Sequence, residues 1–113
     1  MPPRDWRFRI KDILKAIGAI QEYTKGMGFK TFTKDRRTVD AVVRNLTIIG
    51  EAAVQIPEDL CLKHSKIPWY EMRGMRNLVV HEYFQADVVV IWNTVKMDLP
   101  SLPARLEKIL EED

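Results

Sequence analysis

Apolar residues recur at intervals of three and four along nearly the whole chain, which is the period of an α-helix. We expect Asp5 to cap a first helix, and Thr33 or Asp35 to open a second helix that runs to about Gln55. Glycines and prolines separate the helical stretches, and the sequence contains no internal repeat. The pattern therefore predicts an all-α fold, an up-and-down bundle of four to five main helices.

The second half of the chain holds further helical stretches. Pro68 is expected to be the first residue of a helix that reaches at least His81. Gly74 lies in the middle of that helix and costs roughly 1 kcal/mol relative to Ala, so close packing should require it. Asp87 is expected to cap the next helix. Residues 88–92 have high β-propensity, but an isolated strand would have nothing to pair with, so we assign them to this helix.

Length and composition indicate one globular domain over residues 1–113. The chain is 46% hydrophobic and 30% charged, which is too apolar for a disordered protein. The net charge is only +2, yet residues 1–45 carry +6 and residues 46–113 carry −4, so one face could be basic enough to meet phosphates. The longest strongly apolar run has five residues, and the charged N-terminus lacks the pattern of a secretory signal. We therefore expect a cytoplasmic protein without membrane contact.

An Arg, an Asn, a His and a Tyr interrupt the apolar pattern between residues 73 and 83. Asn77 and His81 are four residues apart and would share one face of a helix, as would Arg76 and Tyr83 at a spacing of seven. Arg76 and His81 are five residues apart, which is about 140° around an α-helix. Their head groups can meet only if the Arg side chain bends back or the helix loosens near His81.

These residue types suit cleavage of an RNA phosphodiester without a metal ion. The imidazole of His81 could move the proton of the 2′-hydroxyl or of the leaving 5′-oxygen. The guanidinium of Arg76 could stabilise the charge on the phosphorane, and Asn77 could orient the imidazole. From the spacing alone, a hydrogen-bonded core histidine and a surface arginine are the more common arrangement.

The pattern R-N-x-x-x-H-x-Y at residues 76–83 resembles the RNxxxH signature, or more fully RX4HXY, of HEPN-domain ribonucleases. More narrowly, residues 5–105 are similar to the HepT-like toxins of HepT/MntA toxin–antitoxin systems. Three further blocks support the resemblance, at residues 32–41, 48–52 and 68–77. The short signature alone is a weak indicator, whereas four ordered blocks in a chain of this length are much stronger.

The resemblance implies an all-helical homodimer with a composite ribonuclease site at the dimer cleft, in which Arg76 and His81 are catalytic. It implies an endoribonuclease toxin of a type II or type VII-like toxin–antitoxin pair, acting on an RNA such as tRNA or mRNA. The partner would be an MntA-like nucleotidyltransferase antitoxin, which in this family can add AMP to the tyrosine of the motif, here Tyr83. Asn77 and Arg73 belong to the same block and are expected to support the site or bind RNA.

Two residues of the second helix are further candidates for the RNA site. Arg37, Asp40, Arg44, Thr47 and Glu51 recur at threes and fours and form one polar stripe. This stripe is either a solvated face with intrahelical ion pairs, or it places Arg44 and Glu51 at the edge of the RNA site or the dimer seam. The neighbouring Gly50 favours close approach of another helix, because its cost in helix propensity must be offset by packing.

Metal binding is not expected from this sequence. Cys61 and His64 are three residues apart and His81 is a conceivable third ligand, but a metal site needs more donors in a convergent set. The chain has one cysteine and no HExxH motif. We therefore expect no metal and no cofactor.

Basic and aromatic side chains outside the motif have simpler explanations. The basic residues at 7–11 and 36–37 are expected to be solvated, although they are the best phosphate contacts outside the motif if RNA binds. Trp69, Trp92 and Phe84 are expected to anchor the core or the dimer interface rather than to stack on bases.

A second hypothesis shares the same fold. The chain could be a non-catalytic helical binding module that serves as a regulatory subunit of a nucleotidyltransferase. Convergence of Arg76 and His81 in an open cleft would favour the enzyme, and a buried, separated pair would favour the binding module.

Overall fold

The computed structural model describes residues 5–77 and 85–112, and these are helical almost throughout. The helices are α1 (Trp6–Thr24), α2 (Phe29–Lys34), α3 (Arg36–Val54), α4 (Glu58–Lys63), α5 (Trp69–Gly74), α6 (Gln85–Asn93) and α7 (Leu102–Glu112). A 3₁₀ helix (Met75–Asn77) follows α5, and a π-helical turn (Thr94–Asp98) follows α6. The described residues contain no strand, so the all-α prediction and the helical assignment of residues 88–92 are confirmed.

Aspartates cap the two longest helices as predicted. The Asp5 carboxylate accepts a hydrogen bond from the Arg7 backbone N–H at 2.9 Å, and the Asp35 carboxylate accepts one from the Thr38 N–H at 3.1 Å. The bond from Thr38 lowers the pKa of Asp35, because it stabilises the ionised carboxylate. The prediction for Asp87 is wrong: this residue lies within the first turn of α6, because the helix already begins at Gln85.

The core lies mainly between α1 and α3, with α7 packed against α1. Ile10, Ile17 and Val43 are fully buried, and Phe32 carries α2 into the same cluster. The Trp92 ring of α6 packs 4.9 Å from that of Phe32, measured between centroids. The two long helices therefore form the frame on which the shorter elements are placed.

None of the helices in the described ranges is long and apolar enough to cross a membrane.

Candidate active site

The segment that carries Arg76 lies directly against α3 at Gly50. A Cβ atom at position 50 would touch the backbone nitrogen of Arg76 and would lie 2.8 Å from its Cα and 2.9 Å from its Cβ. Contacts under 3.0 Å are essentially never made by real Cβ atoms, so a larger residue would force one of the two backbones to move. The prediction that Gly50 allows close approach of another helix is therefore confirmed, and the neighbour is the 3₁₀ helix of the motif.

Arg76 lies in this 3₁₀ helix and not in the middle of a long α-helix. α5 begins at Trp69, after Pro68, and ends at Gly74. The prediction of a regular helix from Pro68 to at least His81 is therefore wrong within the described residues, because the chain changes to 3₁₀ geometry at Met75. A 3₁₀ helix has three residues per turn, so the separation of 140° between Arg76 and His81 that an α-helix would give does not apply here.

Gly74 is explained by its position and not by packing. A Cβ atom there would have nothing within 4 Å in residues 5–77 and 85–112, so the expectation that close packing requires this glycine is wrong within those residues. Gly74 is the last residue of α5, where the conformational entropy that glycine loses costs less stability than it would in a helix interior.

Three of the predicted site residues line one open cavity of about 670 Å³. Arg76 and Asn77 are exposed, and Arg73 is partly buried. In the part of the chain that the structure describes, the Arg76 guanidinium makes no hydrogen bond or ion pair, so it is available to an anionic ligand. The other residues that line the cavity are Val54, Ile56, Glu58, Tyr70, Glu71 and Gly74.

Arg73 is held by protein groups and is less available than Arg76. Its Nη2 donates a hydrogen bond to the Cys61 Sγ at 3.1 Å and lies 3.7 Å from the Glu58 Oε2. Its Nε is buried and has no partner among the described residues. Burial raises the pKa of the Cys61 thiol, and the nearby Arg73 charge offsets part of this rise. Arg73 therefore ties α5 to α4 beside the cavity.

Arg44 and Glu51 lie on α3. Both are exposed, and neither lines the 670 Å³ space. The ion pair seen on this helix joins Arg36 to Asp40 at 3.2 Å, a spacing of four residues that leaves both groups largely solvated. Thr47, in the same stripe, donates its hydroxyl proton to the Val43 carbonyl at 3.0 Å. A role for Arg44 and Glu51 at the RNA site or the dimer seam stays a prediction.

Three residues of interest, His81, Tyr83 and Phe84, lie outside the described residues. Their distances from Arg76 are therefore not given by the structure. The catalytic assignment of His81, the modification of Tyr83 and the anchoring role of Phe84 stay predictions.

The tryptophans that the structure describes belong to the core, whereas a neighbouring tyrosine faces solvent. Trp69 is buried and donates its Nε1 proton to the His64 carbonyl at 3.1 Å. Trp92 packs on Phe32, as described above, so the expectation of core anchors is confirmed for both. Tyr70 is 84% exposed and lines the cavity, although it belongs to none of the candidate residues that the motif predicts. The available signal was its position one residue after a core tryptophan, about 100° further around a short helix.

The residues described here do not assemble a metal-binding cluster. Within residues 5–77 and 85–112, no group of three or more His, Cys, Asp and Glu side chains converges. Cys61 is instead engaged with Arg73.

Comparison with known proteins agrees with the motifs. The model of the family described as "Ribonuclease HepT-like" matches residues 13–109. A Thermococcus cleftensis protein named "Probable ribonuclease HepT" is 47% identical over 100 residues, which are 88% of this chain and 91% of that protein.

Relatives from other organisms extend the match over almost the whole chain. A "Putative RNase" of Methanocaldococcus jannaschii is 38% identical over 112 residues, 99% of this chain and 93% of that protein. A "Putative RNase" of Caldanaerobacter subterraneus subsp. tengcongensis is 38% identical over 104 residues, 92% of this chain and 93% of that protein. No solved structure matches the chain. The extent of the family match and the identity to these relatives show that the chain belongs to the HepT-like ribonuclease family, as its motifs predicted.

Proposed function

We propose that this protein is a metal-independent endoribonuclease, the toxin of a toxin–antitoxin pair that acts in the cytoplasm. The observation that carries the proposal is the placement of Arg76. Its backbone is fixed against Gly50, and its exposed side chain lines an open cavity together with Asn77. A guanidinium held by a rigid element and open to solvent is suited to a phosphate.

The proposed reaction is a transesterification at an RNA phosphodiester. The 2′-oxygen attacks phosphorus as its proton is removed, the bond from phosphorus to the 5′-oxygen breaks, and a proton is delivered to that leaving oxygen. His81 is the group assigned to these proton transfers. Arg76 stabilises the charge that builds up on the phosphoryl oxygens, and Asn77 positions the imidazole.

RNA cleavage by the purified chain tests this function directly. We expect the protein without any partner to cut RNA, and to do so equally well in EDTA, because no step of the mechanism uses a metal. The products can be followed on denaturing gels. Cleavage that stops on chelation would refute the mechanism.

If the chain leaves RNA intact but binds a nucleotidyltransferase, the alternative of a non-catalytic regulatory subunit is supported. The carboxylates of Glu58 and Glu71 in the same cavity are the observation that favours this alternative, because they repel phosphate.

Dimerisation is part of the proposal because the motif supplies only one histidine. Two chains could complete one cleft, with apolar side chains as the contact surface. Val54 lines the 670 Å³ cavity that contains Arg76, which we call the site cavity. Val90 and Met97 are 60% and 76% exposed, and each lines a smaller cavity beside Met75. These exposed apolar groups near the 3₁₀ helix are the structural support for an interface.

Sedimentation velocity at micromolar concentration is expected to give about twice the monomer mass of 13.2 kDa. A single monomeric species across this range would remove the composite site from the proposal.

The proposed antitoxin is a nucleotidyltransferase that inactivates the chain by adding AMP to Tyr83. The phenol oxygen would attack the α-phosphorus of ATP and release pyrophosphate. Tyr83 follows Arg76 by seven residues within the same motif. In this proposal the adduct places a phosphodiester near the phosphate site. The added negative charge would compete for Arg76 while the adenosine blocks the RNA.

Co-expression with the nucleotidyltransferase is expected to add one or more AMP units to the peptide that contains Tyr83, as measured by mass spectrometry. Tyr83→Phe should remove the adduct and stay toxic beside the antitoxin if its ribonuclease activity is retained. An unmodified Tyr83 in a fully neutralised toxin would show that inhibition occurs by occlusion in the complex.

A further inference from the structure

Another cavity, of about 340 Å³, lies between the α4–α5 connection and α7. Among the described residues, its lining contains three lysines, one arginine and one histidine, and no carboxylate. The lining residues are Lys63, His64, Ser65, Lys66, Ile67, Arg105 and Lys108. We call this cavity the basic pocket. A cavity with cations on both of its walls and no acidic lining residue favours an anion.

The walls of the basic pocket are joined by a direct contact. The Nη1 of Arg105 on α7 donates a hydrogen bond to the backbone carbonyl of Lys66 at 3.4 Å. Arg105 and Lys108 are three residues apart and share a face of α7. Lys108 also lies 3.8 Å from the Glu112 carboxylate, but both side chains are largely exposed, so this pair is weak and a phosphate can compete with it.

A further cavity, of about 430 Å³, adjoins both the basic pocket and the 670 Å³ cavity that Arg76 lines. It shares the lining residues Ser65, Lys66 and Ile67 with the basic pocket. It shares Tyr70 and Arg73 with the site cavity that contains Arg76. The three cavities therefore lie next to one another along the α4–α5 connection, and we call this row of cavities the depression.

Charge and exposure differ along this depression. Glu58 and Glu71 line both its middle portion and the cavity of Arg76, where they repel phosphates, whereas no carboxylate among the described residues lines the basic pocket at its far end. The highly exposed Tyr70 lies in the middle portion. Single-stranded nucleic acids are commonly bound by cations that contact phosphates and by aromatic rings that stack on bases.

From this arrangement we infer that the basic pocket binds the phosphate backbone of the RNA substrate at a distance from the cleavage site, while Tyr70 stacks on an intervening base. The inference rests on the proposed ribonuclease function and deepens it. It assigns the protein an extended, single-stranded substrate rather than a dinucleotide-sized one. Lysines bind phosphates as point charges, so the pocket adds affinity with little sequence preference.

Binding of a single-stranded 30-nucleotide RNA to the His81→Ala protein tests this inference without cleavage. Replacing Lys66 and Lys108 together by Ala is expected to weaken binding about tenfold. The slope of log affinity against log salt concentration should fall by about 1.4, because each lost phosphate contact on a single strand contributes about 0.7. The Lys30→Ala/Lys34→Ala double variant is the matched control, because it removes two exposed lysines from α2, which lines none of these cavities.

Tyr70 provides an independent measurement. Tyr70→Ala should weaken binding about tenfold with an unchanged salt slope, whereas Tyr70→Phe should bind like the unsubstituted protein, because stacking requires the ring and not the hydroxyl. Circular dichroism verifies the fold. If the alanine variants at positions 66 and 108 unfold, Lys66→Gln/Lys108→Gln removes the same charges with longer side chains.

The outcomes separate this inference from the proposed function. In proteins that retain His81, the Lys66→Ala/Lys108→Ala change should lower kcat/KM for the long RNA about tenfold and leave cleavage of a trinucleotide unchanged. The unsubstituted protein could cleave RNA while the Lys66→Ala/Lys108→Ala variant and the Lys30→Ala/Lys34→Ala control show the same affinity and the same salt slope. In that case the basic pocket is not a binding site. If no RNA is cleaved at all, the proposed function fails, whereas a selective loss of RNA binding in the Lys66/Lys108 variant would still identify the pocket as an RNA site.

Discussion

His81→Ala is expected to lower the rate of RNA cleavage by roughly 10²- to 10⁴-fold, because the group assigned to proton transfer would be lost. Arg76→Ala should lower it by roughly 10²- to 10³-fold, the usual effect of removing one group that stabilises transition-state charge. Arg76 makes no ion pair or hydrogen bond in the described part of the chain, so its removal leaves no buried partner unpaired. The rates can be measured with the purified variants under single-turnover conditions.

Arg76→Lys is the informative companion to this experiment. Lysine keeps the positive charge but loses the planar fork that grips two phosphate oxygens, so we expect activity between those of the alanine variant and the unsubstituted protein. Unchanged helical circular dichroism would show that the losses are not caused by unfolding. Full activity in both His81→Ala and Arg76→Ala would refute the assignment of the site.

Gly50→Ala is expected to reduce stability and cleavage together. The added methyl group would collide with the backbone of Arg76, and overpacking of this kind costs roughly 1–3 kcal/mol in the free energy of unfolding. The gain of about 1 kcal/mol in helix propensity offsets only part of this cost. Displacement of Arg76 should lower cleavage by about 100-fold, because catalysis depends on sub-ångström placement of charged groups. Chemical denaturation and cleavage assays measure the two effects.

Gly18→Ala is the matched control. Gly18 lies inside α1, and a Cβ atom there would have no other described residue within 4 Å, its own helix backbone and chain neighbours aside. The same substitution should therefore raise the free energy of unfolding by about 1 kcal/mol and leave cleavage unchanged. If Gly50→Ala behaved like Gly18→Ala in both assays, the close contact between α3 and the 3₁₀ helix would not position Arg76.

Local signals in the sequence determined most of the helical architecture. The recurrence of apolar residues at intervals of three and four predicted α1 and α3. Asp5 and Asp35 marked where these helices begin, because an aspartate at the N-cap accepts hydrogen bonds from backbone N–H groups of the first turn. The motif blocks identified the family, which the comparisons confirm. Gly50 was also recognised in advance, because a glycine inside a strongly apolar helix is costly unless something packs against it.

The tertiary structure alone decided how the site is built. The change to 3₁₀ geometry at Met75 opposes the continuous helix that the local pattern favoured, and it lies where the chain packs against α3 at Gly50. The sequence did not predict the basic pocket either, because the pocket combines residues 63–66 with residues 105–108, which are far apart in the chain. Both segments belong to residues 46–113, whose net charge is negative. Sequence patterns report neighbours within a turn or two of a helix, whereas the contact between these segments depends on how α4, α5 and α7 pack in space.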